Sequence, residues 1–377
     1  TTTLSIDNVS VKEQINLVSN PNFTDTGADL LTQPIDLVTD FTINSGGVII
    51  DANSFSTAGG SNDGIKTSYG FLTAGKSYKL VVSGSTTSSG FTTGNLSGNG
   101  NEYSSGFGTF YFVALSTGGF WVRQTTAGTT DLTTFTIKEL GADWSVSAVG
   151  GISFNGSGLS LDSSEIDTSG GGTVYSSCSQ IGTIFEIGKS YKLVIEDLDI
   201  TSGSIELKFG RSHSSTPPRP YLTSADNGTF TEYFTAVDQN DSFTINSGGG
   251  TVATLSSISV QELGEGWAFT SGASITALGA KITHTPIAGI ISQYSVLVLG
   301  KNYKFTYEIT ENISGGLKIN SAVIPEMVTT VGVHTRYFEA DSTSVSIART
   351  SSVDNDVTIT NITVQEVGQD WTLGTGA

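Results

Sequence analysis

The sequence predicts an all-β protein made of tandem antiparallel β-sandwich domains stacked end to end. Three observations predict this fold: one phrase recurs three times along the chain, apolar and polar residues alternate within each copy, and the composition favours short strands and turns. Hydrophobic residues make up 37% and charged residues only 14%, and the polar remainder is dominated by Ser, Thr, Gly and Asn. Such residues suit strands and turns better than helices.

The repeat sets the predicted domain organisation. The recurring phrases are GKSYKLVV at 75–82, GKSYKLVI at 188–195 and GKNYKFTY at 300–307. A second phrase closes each unit and ends at Glu13, Trp144, Trp267 and Trp371. Self-similarity at a fixed period is typical of arrays of one structural unit. We expect the last strand of a preceding repeat at 1–13, three complete β-sandwich repeats at 14–140, 141–263 and 264–367, and the start of a following repeat at 368–377.

Each shared phrase has the period of a β-strand. Tyr78, Leu80 and Val82 point to one face and the residues between them to the other, and TTFTIKEL alternates in the same way. Gly75 precedes the strand, where a tight turn with positive φ is expected. We find no stretch with a sustained helical apolar period. The short linkers LGADW, LGEGW and VGQDW predict little freedom between consecutive sandwiches.

Charge and composition exclude several classes of function. The formal net charge is −18, from 35 acidic and 17 basic residues, so the chain repels phosphate backbones and anionic membrane surfaces. We therefore expect no nucleic-acid partner. No apolar run approaches the roughly 20 residues of a membrane helix, so no membrane insertion is expected. The one cysteine, Cys178, cannot form an internal disulfide and is expected to be a buried, inert thiol.

Catalytic motifs are missing from the sequence, and we predict no catalytic residue, no metal site and no enzyme. The three histidines are scattered without a carboxylate or cysteine at ligand spacing. His334, in the strand phrase GVHTRYFEA, is expected to be a packed or half-buried strand residue. A carboxylate pair for glycoside cleavage stays open, because its approach depends on the fold.

Four tryptophans divide into two predicted roles. Trp144, Trp267 and Trp371 lie at the unit junctions, where we expect interdomain packing. Trp121 aligns with Thr244 and Ser346 on the face that alternation turns outward, so it is expected to be exposed. An exposed indole with Arg123 beside it is a candidate platform for a sugar ring, and packing against a partner chain is an equal alternative.

Two loops carry further candidates. The loop RSHSSTPPRPYLT at 211–223 is the one proline cluster and brings together Arg211, Arg219 and Tyr221. We interpret it as a stiffened surface loop, with contact to an anionic glycan or a neighbouring subunit as the alternative. The turns SNDG at 61–64 and SVDNDV at 352–357 could ligate calcium through oxygen atoms, but neither has defined ligand spacing, so no cofactor is predicted.

The opening phrase LVSNPNFTDTG at 17–27 and the closing phrases SIDNVSVKE and NITVQEV resemble those of tandem carbohydrate-binding-module-like jelly-roll domains of phage fibre, tail and capsid-decoration proteins. The resemblance covers almost the whole chain and implies two antiparallel sheets in each unit. The first unit departs from the pattern, because it lacks the early tryptophan of the other two and has a longer opening segment.

The resemblance implies a structural or adhesive virion surface protein, located on the virion surface or outside the cell, with weak multivalent contact to host surface polysaccharide. Its expected partners are other virion structural proteins or copies of itself. Two alternatives remain: a bacterial secreted or cell-surface adhesin, and the non-catalytic binding tail of a polysaccharide hydrolase.

Overall fold

The regular secondary structure of the described residues is nearly all β-strand. A computed structural model describes residues 23, 26–60, 62–95, 102–147, 151–163, 176–209, 221–236, 240–270, 272–284, 289–320, 326–350 and 354–368. In these residues we number 31 strands, with one α-helix of four residues, α1 (Leu37–Asp40), and a short 3₁₀ turn at Ser224–Asp226. No helix in this part of the chain is long and apolar enough to cross a membrane.

The first sandwich contains eleven strands and the helix α1. Its strands are β1 (Thr26–Asp29), β2 (Thr42–Asn44), β3 (Gly47–Ile49), β4 (Ser54–Thr57), β5 (Gly64–Lys66), β6 (Ser77–Thr86), β7 (Phe91–Asn95), β8 (Glu102–Ser105), β9 (Gly108–Val113), β10 (Phe120–Gln124) and β11 (Gly128–Leu140).

The second sandwich repeats this order. Its strands are β12 (Ser145–Val146), β13 (Ile152–Asn155), β14 (Gly158–Asp162), β15 (Ser176–Phe185), β16 (Ser190–Ser202), β17 (Ile205–Phe209), β18 (Tyr221–Leu222), β19 (Gly228–Thr235), β20 (Asn240–Ser247), β21 (Val252–Leu255) and β22 (Ser257–Leu263).

The third sandwich repeats it again. Its strands are β23 (Ala268–Phe269), β24 (Ala273–Thr276), β25 (Gly279–Thr283), β26 (Ile290–Gln293), β27 (Asn302–Ser314), β28 (Leu317–Ile319), β29 (Gly332–Glu339), β30 (Val345–Arg349) and β31 (Asp356–Glu366).

Two antiparallel sheets face each other in each sandwich. In the first, the sheet orders are β3-β4-β11-β6-β9 and β2-β5-β10-β7-β8. If β4 to β11 are counted as strands one to eight, the orders are 1-8-3-6 and 2-7-4-5, which is the pairing of a jelly roll. The second sandwich has β13-β14-β21-β16-β19 and β12-β15-β20-β17-β18, and the third has β24-β25-β31-β27-β29 and β23-β26-β30-β28. The predicted fold class is confirmed.

Strand register makes the three sandwiches equivalent residue by residue. Trp121 pairs with Lys66, Thr244 with Ser179 and Ser346 with Ser292, each on the central strand of the smaller sheet. These pairs show that Trp121, Thr244 and Ser346 occupy one position, as the sequence alignment predicted. Each sandwich has its own apolar core between its sheets, built from the inward-facing side chains that alternate along the strands.

The first sandwich differs from the others in its opening segment. The extra residues form β1, which pairs with the last part of β11, and α1, whose first turn is capped by the Asp36 carboxylate. Hydrogen bonds from the backbone and the Thr39 hydroxyl hold this carboxylate ionised; the Thr39 hydroxyl does most to lower the Asp36 pKa. The Leu37 N–H donates to the Ala52 oxygen, so α1 rests on the turn between β3 and β4.

The early aromatic position of the first sandwich is filled by Phe41. It precedes β2 as Trp144 precedes β12 and Trp267 precedes β23, and it is 4% exposed, with its ring stacked 5.7 Å from Phe135. The first unit lacks the early tryptophan, as its sequence shows, and Phe41 takes the equivalent position. Asp40, Phe41 and Thr42 correspond to Asp143, Trp144 and Ser145 of the second unit.

Candidate functional site

Trp121 lies on the outer side of the smaller sheet of the first sandwich. Its neighbours Phe120 and Val122 belong to the core, so alternation turns the indole away from it. Across the sheet it stands opposite Gly94 on β7 and Lys66 on β5. The predicted face is therefore correct.

The predicted exposure of Trp121 is wrong. The side chain is only 2% exposed, and its Nε1 donates to the Asn95 backbone oxygen at 2.8 Å. The Arg123 guanidinium lies over the ring, 4.1 Å from the centroid. Gly94, which pairs with Trp121 on the neighbouring strand, has no side chain that would obstruct the large indole ring. Because the indole is covered, it offers no open face to a sugar ring. Alternation predicts the direction of a side chain but not what covers it.

Arg123 serves the fold through the same contact. Burial removes water from the guanidinium and lowers its pKa, although an arginine stays charged under all ordinary conditions. Its Nε is buried and, within the described structure, has no hydrogen-bond partner. The aromatic face of Trp121 offsets part of that desolvation, so the two side chains stabilise each other.

The proline-loop candidates are only partly visible. Arg211 and Arg219 lie outside the described residues. Tyr221 begins β18, pairs with Glu206 and is 56% exposed. It is an accessible aromatic side chain at the end of the predicted loop.

The two turns considered as possible calcium ligands use side-chain oxygens of their described residues within the protein. The Asp63 carboxylate accepts hydrogen bonds from the N–H groups of Gly60 and Gly46, both at 2.8 Å, and these bonds lower the Asp63 pKa. In the second turn, Asn355 Oδ1 accepts from the Gly316 N–H at 3.0 Å and Asp356 pairs with Lys281 at 2.9 Å. Among the described residues, no group of three or more His, Cys, Asp or Glu side chains is arranged to hold a metal ion.

Cys178 and His334 have structural surroundings. Cys178 is fully buried in the second core, and burial raises the pKa of its thiol far above the usual range, so the prediction of a buried thiol is confirmed. His334 lies on β29 opposite Tyr307, and its Nε2 is 2.6 Å from the Thr330 oxygen.

The repeated GKSYKL phrase is a structural device. The glycines Gly75, Gly188 and Gly300 have φ of 79°, 80° and 77°, the tight turn that the sequence predicts. The following lysines pair with a glutamate near the end of the sandwich's last strand: Lys76 with Glu139, Lys189 with Glu262 and Lys301 with Glu366. The phrase therefore ties the central strand of the larger sheet to the end of its neighbour.

The tyrosine of the phrase secures the preceding turn. Its hydroxyl accepts a hydrogen bond from a backbone N–H five residues upstream: Tyr78 from Thr73 at 2.9 Å, Tyr191 from Glu186 at 2.7 Å and Tyr303 from Val298 at 2.8 Å. Burial raises the pKa of Tyr78 and of Tyr191. The most repeated residues of the chain thus maintain the fold.

In the described structure, the junction between the first two sandwiches is a closely packed contact surface. Trp144 is 1% exposed, with its ring 5.0 Å from that of Phe23 and 6.3 Å from that of Phe243. Phe23 also stacks on Phe154 at 5.6 Å. Phe23 and Leu140 from the first sandwich belong to one continuous apolar cluster with the second core. The two domains therefore share buried surface.

The same elements form both junctions. We call β13–β14 and β24–β25 the entry hairpins, and the strand pairs β6/β9 and β16/β19 the exit faces. The entry strand β13 packs on β6 and β9, and the entry strand β24 packs on β16 and β19. This interface is heterologous, because one end of a sandwich contacts the opposite end of the next.

Specific contacts fix the first interface. The Phe154 N–H donates to Ser77 Oγ at 2.9 Å. Gly156, at the tip of the entry hairpin, lies against the Tyr111 ring so closely that a Cβ atom would come within 2.7 Å of the phenol. Gly141, in the linker, has φ of 63° and lies under the Phe154 ring. Backbone and rings interlock with little space between them.

The second interface is looser. Its tryptophan, Trp267, is half-buried and packs against the third core. Gly264 has φ of 68° and lies against Ile275, the counterpart of Phe154, and against the Phe269 ring. Ser190, the counterpart of Ser77, bonds the Thr235 hydroxyl at 2.9 Å. Trp371 lies outside the described residues.

A shallow cavity of about 230 Å³ lies on the outer side of the smaller sheet of the second sandwich. Its lining includes Thr244, the counterpart of Trp121, together with Ser145, Ser177, Ser179, Ser242 and Ile181. The hydroxyls of Ser179 and Thr244 bond each other at 2.9 Å, which leaves a polar and weakly shaped depression.

No protein-family model matches the chain, and no curated protein matches it at a significant level. The function must therefore be argued from the fold and its contacts.

Proposed function

We propose that this chain is a non-enzymatic structural segment of a virion surface protein, in which stacked sandwiches act as a stiff spacer in a fibre, stalk or capsid decoration. The observation that carries the proposal is the aromatic seal of Phe23, Trp144 and Phe154, which are 0%, 1% and 4% exposed. A flexible string of independent binding modules needs no buried contact between its domains.

Two further features support a structural role. The residues repeated in all three units serve turns, ion pairs and tyrosine hydrogen bonds of the fold, as described above. The resemblance to jelly-roll domains of phage particles supplies the location. Fold likeness by itself does not carry function, so the location needs its own test.

Immunolabelling tests the location. An antibody raised against the chain is applied to cells and to cell-free particles, and both are examined by electron microscopy. Label on particles is the expected result. Label on cells alone would favour a bacterial adhesin, and recovery of the antigen only as part of a secreted polysaccharide hydrolase would favour a binding tail.

An adhesive role has one accessible candidate among the described residues. Tyr221 is exposed and adjoins the loop that carries Arg211 and Arg219, whereas Trp121 is covered. If the chain retains host polysaccharide, Tyr221→Ala should weaken retention on a polysaccharide column, because stacking needs an open ring.

The matched control for this experiment is Tyr69→Ala, which removes another highly exposed tyrosine, from the first sandwich. It lies outside the proline loop, so its loss should leave retention unchanged. Equal retention by both variants and the parent chain would remove the glycan hypothesis at this loop.

A further inference from the structure

The third sandwich has an exit face of its own, formed by β27 and β29. Register places Tyr337 in the position of Tyr111 and Tyr233, because these three tyrosines pair with Lys304, Lys79 and Lys192. The exit tyrosine is thus present in all three sandwiches. In the first interface it contacts the tip of the entry hairpin.

This third face is more exposed than the first. Tyr337 is 66% exposed, against 41% for Tyr111, and Val333 on the same strand is 68% exposed. Outward-facing apolar residues on one strand face form a patch of the kind that marks interaction sites.

The chain also leaves the third sandwich as it leaves the other two. Gly368 has φ of 76°, close to the 63° of Gly141 and the 68° of Gly264. Gly141 and Gly264 begin the linkers that turn the chain from a last strand into the next sandwich, and each accepts a hydrogen bond from the tryptophan N–H three residues on. Gly368 therefore has the φ of the residue that begins this turn at both observed junctions.

We propose that the β27/β29 face around Tyr337 is the docking surface for the entry hairpin of a further sandwich of the same kind, joined through Gly368. This inference rests on the proposed tandem architecture and names the partner of one of its faces. The contact has the geometry of the first interface, with the hairpin tip against the Tyr337 ring.

Asn302 supplies the matching hydrogen-bond acceptor. It pairs with Glu339 as Ser77 pairs with Val113, so it occupies the position whose side chain accepts from the Phe154 N–H. Asn302 is exposed, and an asparagine side-chain oxygen accepts a hydrogen bond as a serine hydroxyl does.

The first sandwich of a second copy does not fit this face. Its hairpin β3–β4 ends with the pair Ile49 and Phe55, whereas β13–β14 continues past the equivalent pair Ile152 and Leu161 to Phe154. The shorter hairpin therefore lacks the residue that fills the junction. The following sandwich in the same chain is the occupant that the geometry favours.

Photocrosslinking tests the inference. The variant Tyr111→p-benzoylphenylalanine in the 377-residue chain should crosslink to the hairpin tip at Gly156 and serves as the positive control. The variant Tyr337→p-benzoylphenylalanine is then compared in the same chain and in two extended chains, which continue after Val367 with a copy of residues 141–263 or of residues 264–367. Crosslinked peptides are identified by mass spectrometry, and protease resistance reports whether the added sandwich folds.

We expect position 337 to crosslink to the added hairpin tip in at least one extended chain, and to do so several-fold less when the copy of Phe154 or Ile275 in that hairpin is replaced by Asp. Absence of this crosslink in both extended chains, while position 111 crosslinks normally, overturns the inference, and so does an added sandwich that stays protease-sensitive in both. A crosslinked dimer of the 377-residue chain overturns it in favour of a second copy. None of these outcomes bears on particle labelling, so the proposed function is judged separately.

Discussion

The first and second junctions use the same elements, yet they bury very different aromatic surface. At the first, Phe23, Trp144 and Phe154 form a closed cluster. At the second, the linker glycine Gly264 lies against Ile275 and the Phe269 ring, and Trp267 is only half-buried. The difference comes from Phe23, which precedes the additional strand β1 of the first sandwich, and from the exchange of Phe154 for isoleucine. The same elements can therefore join equivalent domains with different side chains packed at the junction.

The largest expected effect separates the two junction tryptophans. Trp144→Ala should destabilise the chain by about 4 kcal/mol, because it empties a fully buried aromatic site, whereas Trp267→Ala should cost roughly half as much at its half-buried site. Urea denaturation of both variants measures the difference. Equal losses would contradict the description of the second junction as the looser one.

Phe23 should account for much of the difference in stability between the two junctions. Phe23→Ala is expected to cost about 3 kcal/mol and to raise hydrogen exchange at the Trp144 amide, because the ring that covers both Trp144 and Phe154 is removed. The control Ile43→Ala changes an apolar residue of the same sandwich that is 53% exposed. If exchange at Trp144 is unaffected by Phe23→Ala, the seal does not depend on this ring.

The linker glycines test the fit of each junction. Gly141→Ala should cost about 2 kcal/mol, since an L-residue is strained at φ of 63° and its Cβ would meet the Phe154 ring. Gly264→Ala has the same backbone strain, but its Cβ would lie 2.7 Å from the flexible end of Ile275 and 2.9 Å from the Phe269 ring, against 2.4 Å from the Phe154 ring at Gly141, so its cost should be smaller. Thermal unfolding of the pair gives the comparison, and a reversed order would argue against close packing at the first junction.

The hydrogen bond to Ser77 should give a smaller difference in stability between the two junctions. Ser77→Ala removes the acceptor of the Phe154 N–H and should cost about 1 kcal/mol. Ser190→Ala is the matched change at the second junction, where the hydroxyl bonds Thr235 within its own sandwich. Proteolysis of the 141–144 linker should accelerate in Ser77→Ala only. Acceleration of cleavage at the 264–267 linker by Ser190→Ala would show that the second hydroxyl also serves its junction.

Alkaline pH should lower the stability of all three sandwiches and leave the difference between the two junctions unchanged. The hydrogen bond to Glu262 raises the pKa of Lys189 above its ordinary 10.5, and burial raises the pKa of Tyr78 above 10.0. Both groups hold their proton more tightly in the folded chain, so their contribution is complete below about pH 10 and declines as the pH rises through the folded values. Denaturation midpoints measured from about pH 8 to about pH 11.5 should fall toward the alkaline end. A midpoint that rises in that range would contradict the sign.

The repeat made most of the fold predictable from the sequence. Aligning the phrases located the central strands and placed Trp121, Thr244 and Ser346 in one register, which the strand pairing bears out. The cover over Trp121 was not predictable, because it depends on the conformation of Arg123 and on the strand beside it. Alternation determines the face of the sheet on which a side chain lies, and the neighbouring residues determine whether it is buried.

The junction was only half predictable. Trp144 could be assigned to it because its phrase recurs at every linker. Phe23 could not, since its segment has no counterpart in the other units, and Phe41 was missed because a tryptophan was sought where the pattern required only a buried aromatic ring. Comparing aromatic class instead of residue identity would have found Phe41.

The linker glycines Gly141, Gly264 and Gly368 share a positive φ between 63° and 76°. A joint that repeats with the same elements and the same turn acts as a screw operation, which advances the chain and rotates it by a fixed angle at each step. Inserting or deleting one sandwich then changes the rotational orientation of whatever the tip of the array carries, as well as its distance from the base. Repeat number would be under selection for direction as much as for length.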